Sequence, residues 1–541
     1  METQRAAGAS DEPETDVVVV GAGIAGLTAA ALLAARGLRV VLLEAHQQSG
    51  GCAGTFRRGP YTFDVGATQV AGLEPGGIHT RIFTLLGVDP PAATPLDPGC
   101  VVDLADGQPP IPIWRDPVRW QQERQRQFPG SERFWRLCEG IHRSNWPFAA
   151  RDPVLPPRNL WDLGQLLGAL RPATVTSGLL VGASMADLLQ LTGCGGDPRL
   201  RRFLDLQLKL YSQEPADRTA ALYGATVLAM VQEPLGLWHL HGSMQGLSDR
   251  LEDALRLGGG SLQLGHRVLG LEHRGPNWLV VGQRSAGPRA GTDAASRQSF
   301  HVLARDVVVT VPPQRLPDLL GDALPEGYRR RLQGLPEPSG ALVFYGAVPR
   351  AALPADCPSH LQLDGTSPGP LFVSVSQEGD GRAPAGTATV IVSIFTGARD
   401  WFRLERADYR RLKAETTESI RTELETRLGL GTAPWLHQEL ATPRGFARWT
   451  GRPWGYVGGL GQHPSRFGPF GLASRTPIRG LWLCGDSIHP GEGTAGVSHS
   501  ALMVCRQLLQ QRRWPPIGLS PGTASVPERP PGDDAPGVRR R

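Results

Sequence analysis

The stretch DVVVVGAGIAGLTAAALLAARGLRVVLLE, residues 16 to 44, decides how this chain is read. Its uncharged run from Val17 to Ala35 has the length of a membrane span, yet its character changes along the way. The valines favour a buried strand, because β-branched side chains fit extended backbone. Gly21, Gly23 and Gly26 permit a turn, and the Ala/Leu stretch after them favours a helix. Gly37 stops that helix before a second strand, Val40 to Leu43. The run therefore reads as strand, turn, helix and strand, not as one apolar helix. A secretory signal is not expected either, since Asp11, Glu12, Glu14 and Asp16 stand where a basic region is required.

A βαβ unit with this turn is built for a dinucleotide. Gly21 allows the tight turn, and Gly23 lets the backbone approach a pyrophosphate at the helix start, where Ile24 and Ala25 follow. Gly26 lets the helix pack on the strand. Glu44 follows Gly26 by 18 residues, close to the spacing of the carboxylate that accepts from a ribose hydroxyl. A GxGxxG alone arises by chance in a chain with 68 glycines, but strand, helix, strand and acid in this order do not. FAD and NAD share an ADP half, so the unit by itself leaves both open.

The C-terminal end supplies a counterpart. Leu481 to Asp486 reads as a strand ending in Gly485 and an acid, followed by a loop with Gly493, Thr494 and Ala495 and an apolar helix from Val497. The acid suits a ribityl or ribose hydroxyl, and a Gly-rich helix start suits a phosphate or the pyrimidine edge of a flavin. FAD is long enough to be gripped from both ends of a chain, which favours it over NAD.

The rest of the composition narrows the function. At 541 residues the chain holds two or three domains, and a net charge of +5 without a basic stripe argues against nucleic acid. Seven widely spaced cysteines with no CxxC pair read as reduced thiols in a cytoplasmic protein. His239 and His241 share a strand face but lack a third ligand, so no metal is expected. His489 and His499, Trp114 to Asp116, Arg133 to Trp135, and the acids Asp249, Glu252 and Asp253 read as structural or solvated. The apolar stretch Leu160 to Leu191, broken by Arg171 and Pro172, reads first as amphipathic core helices and second as a lid or membrane-docking surface.

The fold class that follows is α/β: a Rossmann-type FAD-binding domain with an inserted mixed-sheet and helical substrate domain. Residues 15–105, 235–315 and 470–512 form the FAD-binding part, and 106–234 and 316–469 the substrate part. Residues 1–14 and 513–541 read as disordered tails.

Several segments carry a family resemblance. GGCAGTFRRGPYTFDVGATQVAGLEPGGIHTRIF, HLHGSMQGLSDRL, LFVSVSQEGDGRAPAG and LWLCGDSIHPGEGTAGVSHSAL together resemble the phytoene desaturase and carotenoid isomerase family of flavin amine oxidase-like proteins. The resemblance implies that Gly50, Gly51 and Thr55 border the cofactor, that Gly66, Ala67 and Thr68 lie near the flavin ring, and that Val268 offers backbone contacts to adenine. Cys52 stands where the family carries an arginine. Desaturation of a polyene at C-3′,4′ is implied, with hydride passing to FAD and the electrons then to a quinone or to oxygen. An apolar carotenoid further implies transient, peripheral contact with a membrane. The other readings are a redox-neutral carotenoid cis-trans isomerase, an amine oxidase, and a lipid-escort protein of the GDP-dissociation-inhibitor type.

Overall fold

The computed structural model describes residues 15–285, 298–431 and 433–517. The expected tails, 1–14 and all but the first residues of 513–541, lie outside the described residues. The opening stretch folds as strand Thr15–Val20, helix Ile24–Ala34 and strand Val40–Leu43. The two strands run parallel, in register from Val17 against Val40 to Val20 against Leu43. Every residue of the helix is buried, which explains why its sequence lacks a polar face. It is sandwiched between the sheet, helix Gln245–Leu257 and the C-terminal helix Thr494–Arg512, with Leu27, Leu251 and Leu508 in one cluster.

Strand Gln298–Val309 returns to the sheet parallel to Thr15–Val20, as its valine run implies, and Leu481–Leu483 pairs parallel to its far end. Ser261–Gln263 extends the sheet at the other side, and the antiparallel strands Asn277–Arg284 and His266–Arg274 complete it. The carboxyl ends of the parallel strands thus carry Gly21, Glu44, Thr310 and Gly485 to one rim, where open α/β sheets bind ligands.

A second sheet of seven strands has the order His437–Ala441, Gly340–Pro349, Thr387–Thr396, Leu371–Val375, His360–Leu363, Cys100–Asp103, Ile111–Ile113. Its side chains divide by period two. Leu342, Phe344, Val390 and Val392 pack under helix Arg406–Arg427 through Ile420 and Leu424. Ala341, Val343 and Tyr345 face the opposite way. A helical layer between Pro117 and Ala229 covers the remaining side, with Trp120, Trp135 and Phe203 in one aromatic cluster.

Two boundaries, and the character of one helical stretch, differ from the sequence reading. Cys100–Asp103, assigned to the FAD-binding part, pairs with His360–Leu363 in the second sheet. Helices Leu316–Leu320 and Glu326–Gln333, assigned to the substrate part, pack on the first sheet through Leu316, Leu320 and Leu332. No change of composition marks either crossing, because both segments serve a buried interface. Helices Leu160–Ala169 and Pro172–Gly178 are not core helices: Leu160 is 87% exposed, Leu167 58%, Val175 59% and Leu179 85%. They are too short, and too close to a cavity on their inner side, to bury both faces.

Candidate functional site

One cavity of about 1350 Å³ runs from the glycine turn into the space between the two sheets. That exceeds the roughly 300–1,000 Å³ of ordinary small-ligand sites. At the first rim, Gly50 N–H donates to the Ala22 carbonyl at 2.8 Å, which lays segment 50–54 alongside the turn. The three glycines of the turn have different reasons. Gly21 sits at φ +101, a Cβ at Gly26 would lie 1.8 Å from the Gly21 carbonyl oxygen, and a Cβ at Gly23 would meet nothing within 4 Å. Gly23 therefore leaves a cradle open at the helix start. Helix Ile24–Ala34 has no side-chain cap and no acid in its first turn, and the same holds for helix Thr494–Arg512 after Gly493. Both present uncapped N–H groups to the cavity, the electrostatics an anionic or carbonyl-rich ligand needs.

Glu44 borders the cavity and accepts from the backbone N–H of Ala22 at 2.7 Å and of His46 at 2.8 Å. Burial raises its pKa against the pull of those two donors. The remaining lone pairs of the carboxyl stay available for a ribose hydroxyl. Of the residues singled out from sequence, Gly21, Gly23, Ile24, Ala25, Glu44, Gly50, Gly51, Thr55, Gly66, Ala67, Thr68, Gly485, Asp486, Gly493, Thr494 and Ala495 all line this one cavity. Gly26 acts behind it, through packing. Val268 does not border it; it lies in the core of the first sheet, two residues beyond His266, whose N–H donates to the Glu44 carbonyl. The Thr55 hydroxyl is already engaged, donating to Asp64 at 2.9 Å, so its role is to hold that carboxylate.

Two of the histidines set aside from sequence have structural partners. His239 lies between Asp380 and Arg382, each at 3.0 Å. His499 pairs with Asp152 at 3.2 Å. Among the described residues no group of ligating side chains is arranged to hold a metal.

The sequence reading missed Glu492 and Arg452. Glu492 stands inside the glycine-rich C-terminal loop, an acid in a turn that otherwise avoids side chains, and that is the signal that could have found it. Its Oε2 accepts from Gln213 Nε2 at 2.7 Å, while Oε1 is buried without a partner. Burial raises its pKa to about 8, with the nearby Asp486 charge adding to the effect. Arg452 reaches the cavity from a distant loop and pairs with Asp486 at 2.8 Å; nothing in its local sequence marks it. Thr68 Oγ1 and His489 Nδ1 are likewise buried and unpartnered at the cavity wall. Buried polar atoms are normally satisfied, so this set fits a polar ligand lying along the wall.

The comparisons with known proteins agree with this geometry. Residues 19–86 match the NAD(P)-binding Rossmann-like domain, and residues 181–509, more than half of the chain, match the flavin containing amine oxidoreductase model. The chain belongs to the flavin-containing amine oxidoreductases. Its cofactor is therefore FAD. Prolycopene isomerase of Daucus carota is 24% identical over 94% of this chain and 82% of its own length. Human all-trans-retinol 13,14-reductase is 34% identical over 24% of this chain and 22% of its own. Among solved structures, putrescine oxidase superposes with a TM-score of 0.61 at 18% identity, covering 92% of this chain and 99% of that one, a likeness of fold.

Two outcomes follow for this family member. Gly26→Ala is expected to lower the melting temperature sharply, because its Cβ has no room. Gly23→Val is expected to fold normally yet bind FAD at least about tenfold more weakly, a loss of about 1.4 kcal/mol or more; circular dichroism and flavin titration check both. For Glu492, the folded state keeps a proton that the unfolded chain loses near pH 4 to 5. Apoprotein stability should fall as pH rises from there to about 8, then level off. Denaturant titrations should show a shallower fall in Glu492→Gln, with the buried Glu44 and Glu74 supplying the remainder.

Proposed function

We propose that this protein is an FAD-dependent carotenoid desaturase that introduces a C=C bond at C-3′,4′. The observation that carries this reading is the second arm of the cavity, which continues from the FAD rim between Tyr211, Leu222, Val227, Met230, Phe372 and Phe395. Such walls offer a long hydrocarbon dispersion contacts and few polar handles, so the arm selects by length and shape. Its neighbours in sequence include proteins named for polyene substrates, prolycopene and retinol.

Bound FAD supplies a two-electron acceptor for the hydride that leaves one carbon. The chain must then take the proton lost from the neighbouring carbon. Glu492 Oε1 is the acceptor we assign, since it is unpartnered and borders the cavity where the flavin loop meets Tyr223. Tyr211 and Tyr223 are half-buried in the wall, and desolvation there raises their phenol pKa values, so both stay neutral. The apolar arm excludes water from the reacting carbons and fixes one bond against the acceptor, which is where most of the rate enhancement would arise. Reoxidation passes the electrons to a quinone or to oxygen.

Substrate entry points to a membrane. Val175 both lines the cavity and is exposed, so the arm reaches the surface between the two short helices with the exposed leucines. We assign this rim, Leu160, Leu163, Leu167 and Leu179, to the bilayer surface, where each leucine buried in lipid is worth roughly 1.5–3 kcal/mol. Among the described residues no helix is long and apolar enough to cross a membrane.

Redox-neutral cis-trans isomerisation is the second reading, favoured by the full-length similarity to prolycopene isomerase. Expression in a host making hydroxylated acyclic and monocyclic carotenoids separates the two. The desaturase yields pigment lighter by two hydrogens with a red-shifted spectrum; the isomerase leaves mass unchanged and alters only geometry. With the desaturase, the rate should rise with pH through about 8, and Glu492→Gln should lower kcat by about a hundredfold or more and remove that rise. Replacing Leu160, Leu167 and Leu179 by glutamine should cut co-sedimentation with liposomes while leaving flavin content unchanged.

A further inference from the structure

The family resemblance implies an arginine where this chain has Cys52, and the structure shows what surrounds that position. Segment 50–52 lies against the phosphate turn: Gly23 and Gly50 form a bridge, and a Cβ at Gly51 would lie 3.3 Å from Gly23 Cα. Whatever stands at 52 is thus beside the site of the FAD pyrophosphate. A neutral, half-buried thiol there leaves two phosphate charges with backbone N–H groups alone.

A guanidinium reaches the same place from 400 residues away in sequence. Arg452 is an electrostatic neighbour of Cys52, pairs with Asp486 through Nη1 at 2.8 Å, and donates from Nη2 to the Gly458 carbonyl at 2.6 Å. Its Nε is buried and has no partner. The loop that delivers it is seated tightly. Trp454 sits at φ 52, a left-handed conformation that a bulky residue adopts only under constraint, and a Cβ at Gly459 would lie 2.0 Å from the Asp486 carbonyl oxygen. A largely enclosed arginine, its side chain 14% exposed, with a free donor beside an anion site is an arrangement that binds phosphate.

We propose that Arg452 is the cation for the FAD pyrophosphate in this protein, replacing from the substrate part of the chain the arginine that position 52 lacks. Cofactor affinity is then coupled to the seating of the 452–459 loop on the flavin loop. The inference rests on the FAD site alone and is independent of which polyene reaction is catalysed.

Titration of the apoprotein with FAD, ADP and adenosine tests it. Arg452→Ala is expected to weaken FAD and ADP at least about tenfold and to leave adenosine unchanged. Cys52→Arg placed in the Arg452→Ala background is expected to restore most of that loss, because it returns the charge to the same place from the other side. Unchanged ADP binding in Arg452→Ala, or no rescue by Cys52→Arg, overturns the proposal and leaves Arg452 as a partner of Asp486 only. Should Arg452→Ala fail to fold, Cys52→Arg alone decides. With Arg452 present, two guanidiniums compete for one site and FAD binding does not tighten; tighter binding overturns the proposal.

Discussion

A buried charge cluster ties the second sheet to the hairpin beside the FAD rim. Arg382, 3% exposed, donates to Asp64 Oδ2 from Nη2 at 3.0 Å, to the Leu240 carbonyl from Nη1 at 2.7 Å, and lies 3.3 Å from Asp380. Asp64 belongs to the hairpin beside the FAD rim and also accepts from Thr55 and from Met244 N–H. Burial opposes ionisation of Asp380, but the His239 hydrogen bond and the Arg382 charge hold its pKa below the usual carboxylate range. Buried pairs of this kind add little net stability, since desolvation offsets attraction, while removing one partner strands the other at a cost of about 3–5 kcal/mol. The cluster therefore acts on geometry: it permits one docking of the second sheet over the rim, with Tyr345 OH on the Val65 carbonyl at 2.6 Å fixing the same contact.

That docking explains which parts of the site were legible in the sequence. Gly21, Gly23, Gly26 and Glu44 are local to one βαβ unit, and the spacing of a turn and two strands is written in glycine, valine and alanine side by side. Gly485, Asp486 and Thr494 are local to a second strand-loop-helix and were legible for the same reason. The strands Gly340–Pro349 and Leu371–Val375 showed through their apolar runs. Arg452 did not show, because its meaning depends on a loop being carried across the cavity to Cys52 and Asp486. The domain crossings at Cys100 and Leu316 were hidden likewise, since a strand that pairs with another part of the chain has the same composition as one that pairs with its neighbour.

The helices around Leu160–Leu179 show a different kind of illegibility. An amphipathic pattern reports that one face of a helix avoids water; it does not say whether protein, lipid or a ligand covers it. Here the inner side chains Leu166, Leu170 and Val181 line the cavity while Leu160 and Leu179 point outward. Periodicity alone resolves core from solvent and is silent about a segment with a cavity on one side and exposed leucines on the other.

The position of Glu492 follows from the same architecture. A carboxyl in a glycine-rich loop would ordinarily be solvated and ionised, and its charge would sit close to that of Asp486. Gln213 and the 452–459 loop enclose it, so burial and the neighbouring carboxylate push its pKa the same way. Arg452 pulls in the opposite direction but is engaged by Asp486, so the two acids divide their roles by environment: one is paired with a cation, the other is left near neutrality with a free oxygen. Two carboxyls six residues apart in the chain stand in different surroundings because the fold pairs a guanidinium with Asp486 and leaves Glu492 Oε1 without a partner. The proposed proton transfer rests on that difference, since a permanently ionised acid in an apolar wall is costly.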